Sequence, residues 1–308
     1  RHEQRLIPSG HQVVDVRLRA HYDEAGWFAE EIRGVSQLLF LRELAVNVDG
    51  RWHKVLADLE EIRALLVNRT GMLANVTLDG KGWARFQPEV EGLLEEIPAK
   101  EVVMGEWSPA RPEGFEGFAV PTRVNYVGKG LNLYEHGYGY HGSARVVTRY
   151  LRNTWLWDRI RVQGGAYGAF CLLDRLSGVL TFVSYRDPNL KRTIEAFDEA
   201  ADFLENIQLG QDELTKAVIG AIGDMDQVQL PDAKGYTSMA RFLSGVSDDE
   251  RQKIREEVLG AGQEDFRSFG RILREGMGSG LVKVLGSEAA MQEAMAGKPD
   301  WLRVKNLL

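Results

Sequence analysis

The chain has 308 residues, 44% hydrophobic and 27% charged, which is globular composition rather than that of a disordered or fibrous protein. At roughly 150 residues per domain the length suits about two domains. Lys and Arg total 38 against 45 Asp and Glu, a net charge of −7, so a nucleic-acid surface built on cation–phosphate pairing is excluded as the main role. The single cysteine, Cys171, rules out an internal disulfide and any CxxC metal or redox motif. No apolar run approaches the length of a membrane span. The compartment stays open, with one cysteine and no visible signal segment leaning toward the cytoplasm. The chain begins Arg1-His2-Glu3-Gln4-Arg5 with no initiator Met, which reads as processing or as a piece of something longer.

In chain order, Phe28, Ile32, Val35, Leu39 and Leu44 keep roughly helical spacing until Asp49-Gly50. Val55, Leu59, Ile62 and Leu66 form a second amphipathic stripe. Met72 to Leu78 alternates as a strand, and Gln87 to Ile97 reads as a helix. One strand cannot form a sheet alone, so residues 1–98 look structurally incomplete. Residues 99–117, with Pro98, Pro109 and Pro112 in or beside them, are the linker candidate. A strand from Phe118 to Val127 is expected next, then a helix N-capped by Ser143, with Val147, Leu151 and Trp155 on its inner face. That helix should run on to Arg161 and stop at Gly164-Gly165. Tyr167 to Leu173 and Val179 to Tyr185 read as a hairpin. Two helices follow, over 194–207 and 214–228, the second stopped by Pro231; more helix spans 248–275, and Leu281 to Leu285 forms a last strand. Strands in small groups and helices in runs predict an α+β fold, helices on one face of a mainly antiparallel sheet.

The six histidines form no metal motif. Neither HExxH nor HxxEH occurs, and in His21-Tyr22-Asp23-Glu24-Ala25 an alanine stands where a second ligand belongs. Glu135, His136 and His141 lack a third ligand at a characteristic spacing, so no metal ligand is assigned. Gly137-x-Gly139-x-x-Gly142 matches the dinucleotide fingerprint formally. Its preceding segment is too polar for a buried strand, and the first acidic residue ending a later strand, Asp174, is too far along. A nucleotide-binding enzyme using Gly137–Gly142 is thus the weaker alternative. Gly128-Lys129-Gly130 lacks the Ser or Thr of a phosphate loop, no GxSxG elbow exists, and Cys171 lies in an apolar strand.

One block remains, Leu156-Trp157-Asp158-Arg159-Ile160-Arg161-Val162-Gln163-Gly164-Gly165-Ala166-Tyr167-Gly168. Read locally, Arg161 is a cation at a helix C-terminus, the glycines end the helix, and Tyr167 opens a strand. All three are common local structure.

The R-x-x-G-G-A-Y-G pattern closely resembles the signature in the C-terminal half of insulinase/pitrilysin-type zinc peptidases, the inverzincins. Ile7-Pro8-Ser9-Gly10-His11 and Leu156 to Val162 look like the presequence-protease subgroup, and Ala25-Gly26-Trp27, Asn125 to Gly130 and Ile219 to Gly223 also fit. The resemblance implies α/β rolls of the mitochondrial-processing-peptidase-like type, paired into two halves around a chamber for short unfolded peptides. It implies a zinc metalloendopeptidase whose zinc is held by HxxEH and a distant Glu in an N-terminal half absent from this sequence. Arg161 and Tyr167 match the two donors that such enzymes direct at the substrate carbonyl, with Gly164 and Gly165 forming the loop between them. On this reading residues 1–104 are the rear portion of an incomplete roll and 105–308 a complete one. The implied partners are a peptide substrate and a zinc-bearing half or subunit, with no nucleic acid and no membrane. The alternative is a noncatalytic peptidase-like subunit that pairs with such a partner.

Overall fold

The computed structural model describes residues 2–298 and 300–308. Arg1, with which the reading of the chain's start begins, and the His2 and Arg5 side chains lie outside the described residues. Helices α1 (His2–Leu6), α2 (Gly10–Tyr22), α3 (Glu24–Arg33), α4 (Val35–Asn47), α5 (Trp52–Leu66) and α6 (Gly80–Glu96) come first. Strands β1 (Glu116–Ala119) and β2 (Tyr126–Asn132) precede α7 (Ser143–Asn153), and the hairpin β3 (Gly168–Leu173) and β4 (Val179–Tyr185) follows. Then come α8 (Lys191–Asp198), α9 (Ala200–Glu205), α10 (Gln211–Met225), α11 (Pro231–Leu243), α12 (Asp248–Leu259) and α13 (Gln263–Met277). Strand β5 (Leu281–Gly286), α14 (Glu288–Met295) and β6 (Arg303–Asn306) close the chain.

Contacts divide it into two compact units. One runs to Phe40 and takes in Pro109–Met225 and Gln252–Leu308; the other is Leu41–Ser108 with Asp226–Arg251. The sequence reading draws its line at 104/105 instead. The difference lies in α2, whose apolar stripe belongs to the sheet of the first unit. In the second unit, α5 carries the expected stripe, but Leu59 and Ile62 remain 52% and 51% exposed.

The first unit is built on a six-stranded sheet in the order β3-β4-β2-β5-β1-β6. Neighbours from β3 to β5 are antiparallel, whereas β1 is parallel to both β5 and β6, so the sheet is mixed. Strand side chains alternate between its faces. Val127, Leu131, Phe182 and Val284 pack with Val147 and Leu151 of α7, Phe197 of α8 and Leu273 of α13. On the other face Phe118, Tyr126, Val183 and Leu285 pack with Val14 and Leu18 of α2. The α+β layering holds, but helices cover both faces, because the early apolar residues of α2 return to this sheet. Gly128 permits the approach: a Cβ there would lie 2.4 Å from Val14. The Gly128-Lys129-Gly130 run is thus a packing feature of β2.

Several local readings change. Met72 to Leu78 forms no strand, having no sheet neighbour among the described residues. The strand foreseen over Phe118 to Val127 breaks around Pro121, which has no N–H to give a ladder. Gly142, not Ser143, caps α7; the Ser143 hydroxyl pairs with His141 Nδ1 at 2.7 Å. Pro231 begins α11, where a missing N–H costs nothing, instead of merely ending α10.

Charge is buried where α2 crosses the sheet. Glu116 and Lys283 are both fully buried and lie 2.8 Å apart. Arg17 of α2 reaches the same carboxylate with Nε at 2.8 Å and Nη2 at 2.9 Å, and Lys305 of β6 adds Nζ at 2.9 Å. Burial alone would raise the Glu116 carboxyl, but hydrogen bonds from Arg17 and Lys283 outweigh it and hold the group down at about 2. A depressed carboxyl contributes stability that is present above its unfolded value and is lost as pH falls through the folded one. Glu116→Gln should therefore cost about 3–5 kcal/mol in urea unfolding at pH 7, because buried cations lose their counter-charge. The variant should also lose stability less steeply than the parent between about pH 5 and pH 2. A cost under about 1 kcal/mol with an unchanged acid limb would contradict this role.

Candidate functional site

Helix α7 ends at Asn153, and the chain then winds into a π-helix over Trp157–Val162. Its wide turn is visible in the bond from Gln163 N–H to the Asp158 carbonyl at 2.9 Å. Gly165 N–H donates to the Arg161 carbonyl at 2.9 Å, and Ala166 N–H to the Ile160 carbonyl at 3.0 Å. This is a Schellman-like stop, one residue wider than usual because the turn before it is a π turn.

Both glycines are required, for different reasons. Gly165 takes φ +78°, the left-handed region, and a Cβ on Gly164 would lie 2.5 Å from the Ile160 carbonyl oxygen. The turn is also held from outside. Asn189 Nδ2 donates to the Gly164 carbonyl at 2.6 Å, and Asn189 N–H donates to Asp187 Oδ1 at 2.9 Å. Asp187, fully buried, accepts from the Thr193 hydroxyl at 2.7 Å. Burial raises its carboxyl even though these bonds favour the ionised form.

The stop brings the two foreseen residues together. The Arg161 guanidinium carbon stands 4.1 Å from the Trp157 ring centroid and 5.6 Å from that of Tyr167. Trp157 is one turn before Arg161 and supports it by cation–π contact. Tyr167 is fixed through its backbone, its N–H donating to the Tyr185 carbonyl at 3.0 Å, and its ring meets Tyr185 edge-on at 5.6 Å. Its side chain nevertheless faces outward, with the residue 64% exposed. Among the described residues Arg161 makes no ion pair and the Tyr167 hydroxyl no hydrogen bond. A guanidinium and a tyrosine ring bearing an O–H therefore stand near each other as donors not engaged by other side chains among the described residues.

Sequence reasoning missed three supports of this site. Trp157 was legible as the i−4 neighbour of Arg161. Asp187-Pro188-Asn189 was legible as an Asx turn, but not that it would clamp Gly164.

The competing sites do not assemble. Glu257 Oε2 accepts from Gly142 N–H at 2.7 Å, so a carboxylate occupies the place a pyrophosphate would need. Cys171 is buried, and burial pushes its thiol well above the ordinary range, which removes the thiolate nucleophile. His21 Nδ1 pairs with the Pro112 carbonyl at 2.8 Å and His136 Nε2 with the Ser279 hydroxyl at 3.0 Å. Among the described residues no group of three or more His, Cys, Asp or Glu could hold a metal ion.

The family model described as the PreP C-terminal domain matches residues 115–285, more than half of the chain. A relative named presequence protease 1, chloroplastic/mitochondrial, from Arabidopsis thaliana is 43% identical over 311 residues, covering 100% of this chain and 29% of that protein. Protein HypA of Clostridium perfringens is 30% identical, covering 94% and 29%. The mitochondrial presequence protease of Mus musculus is 24% identical, covering 96% and 31%. The chain thus spans under a third of the length of these relatives. The solved structure of pitrilysin aligns with 74% of this chain and 25% of its own at 16% identity and a TM-score of 0.47. With its matched region running from the start of β1 to the end of β5, and Arg161 and Tyr167 inside it, the chain belongs to the PreP C-terminal domain family.

Proposed function

We propose that this chain is the C-terminal part of a zinc-dependent metalloendopeptidase that degrades short unfolded peptides in a closed chamber. Arg161 and Tyr167 are its contribution to the active site. The observation that carries this reading is the pair itself: two donors with no hydrogen-bond acceptor among the described residues, held near each other by a π-helix, a Gly-Gly stop and an Asx clamp. The names of the relatives support a peptidase, and the share of their length that this chain covers leaves room for a zinc-bearing portion elsewhere.

In peptide hydrolysis the carbonyl oxygen gains negative charge as its carbon becomes tetrahedral. Arg161 offers a permanent cation and forked N–H groups, and Tyr167 one O–H. Donors fixed beforehand stabilise that charge without reorganising as it forms. Neither residue is a metal ligand or a nucleophile in this account. The metal is assigned to residues outside this chain, and no step of this chain's chemistry runs through it.

In the longer protein, Arg161→Ala should lower kcat about 100- to 1,000-fold and Tyr167→Phe by about 100-fold, the scale of losing one transition-state donor. Zinc content, read by atomic emission, should stay at the parent level. Loss of metal in either variant, or full turnover in both, would overturn the assignment. Gly165→Ala should cost about 1–2 kcal/mol in urea unfolding, since the left-handed conformation strains any Cβ, and Gly165→Asn should cost less. Equal costs for the two would mean that backbone conformation is not what requires glycine here.

A further inference from the structure

The other face of α7 bears Arg145, Arg149 and Arg152, which fall on one stripe of the helix and repel one another in isolation. Among the described residues only Arg149 of the three has a carboxylate partner, Asp224 at 2.9 Å. Arg152 Nε donates to the neutral Asn153 side chain at 3.3 Å, and Arg145 makes no ion pair among the described residues. These three line a groove of about 600 Å³ together with Arg175 of the β3–β4 turn and Arg19 of α2. Its lining holds five arginines against two aspartates, Asp174 and Asp224, in a chain whose net charge is −7. Helices α2 and α7 lie on opposite faces of the sheet, so a groove lined by both, and by Cys171 to Leu173, must run over the outer edge of β3. That edge has no sheet neighbour among the described residues, so its N–H and C=O groups are unpaired.

We infer that this groove binds an extended peptide segment bearing a carboxylate side chain, its backbone added to the free edge of β3 and its carboxylate held by Arg145 and Arg152. Arginine forks match carboxylates, and an unpaired strand edge matches an extended main chain; a small inorganic anion would use only the first. Tyr167 directly precedes β3, and the groove lining begins at Cys171, so it opens about 13 Å, four residues of extended peptide, along the same edge. The binding needs no catalysis, so it stands or falls apart from the roles given to Arg161 and Tyr167.

The test is fluorescence anisotropy on the 308-residue chain with a labelled Thr/Val-rich decapeptide carrying one Glu near an end, beside its Gln twin. At low salt the Glu peptide should bind at least tenfold more tightly, the scale of one charge-assisted hydrogen bond. Arg145→Ala/Arg152→Ala should reduce it to the affinity of the Gln peptide and leave the latter unchanged. Alternate N-methylation of the peptide backbone should weaken both peptides at least tenfold. Equal binding of Glu and Gln peptides, an advantage that survives the double variant, or indifference to N-methylation would overturn the inference. So would inorganic phosphate binding the chain without displacing the Glu peptide.

Discussion

A single buried carboxylate organises the first unit. Glu116 lies at zero exposure on β1 and is met by Arg17 from α2, Lys283 from β5 and Lys305 from β6. A charge removed from water is tolerable only when it is paired and hydrogen-bonded, so these four groups fix one another's positions. The consequence is register. Glu116 stands opposite Lys283 in the parallel β1–β5 ladder and opposite Arg303 in β1–β6. Arg17 then sets α2 on the sheet, where Val14 and Leu18 fill the space that Gly128 leaves open. Replacing such a network by apolar groups can be neutral or stabilising elsewhere; here its evident use is to specify where an early helix lands on strands about a hundred residues later and beyond.

From that frame the site follows by short links. Strand β4 pairs with β2 on one side and β3 on the other, so the position of Tyr167 is inherited from the sheet. The position of Arg161 is inherited from α7, which is packed through Val147 and Leu151. The two meet only because the segment between them makes a wide turn and stops within a few residues. The π-helix and Gly164-Gly165 supply these, and the Asp187–Asn189 turn holds the result.

Much of this was legible in the sequence, and the rest failed for identifiable reasons. The β3–β4 hairpin and the Gly-Gly stop carry strong local signals, and the structure has both. Arg161 and Tyr167 looked ordinary by local rules and stood out only through the resemblance of the whole block. Strand β6, Arg303-Val304-Lys305-Asn306, is too polar to announce itself, because three of its side chains face water or Glu116. The helices on the second face of the sheet were hidden because an amphipathic stripe shows that a face is apolar without showing what covers it. Met72 to Leu78 shows the reverse error, since alternation alone does not supply a partner strand. The arginines on the outer side of α7 carried no signal, because helical spacing marks only the apolar side of that helix.

The claim that matters most is that Arg161 acts on the charge of the tetrahedral state and not on peptide binding in general. Affinity separates the two: the longer protein can be titrated with a phosphinic peptide, a tetrahedral mimic, and with the matching uncleaved amide. The account predicts that the parent favours the mimic and that Arg161→Ala erases most of this preference while leaving amide affinity within about twofold, as differential transition-state binding requires. Equal weakening of both ligands would contradict it and make Arg161 a simple binding residue.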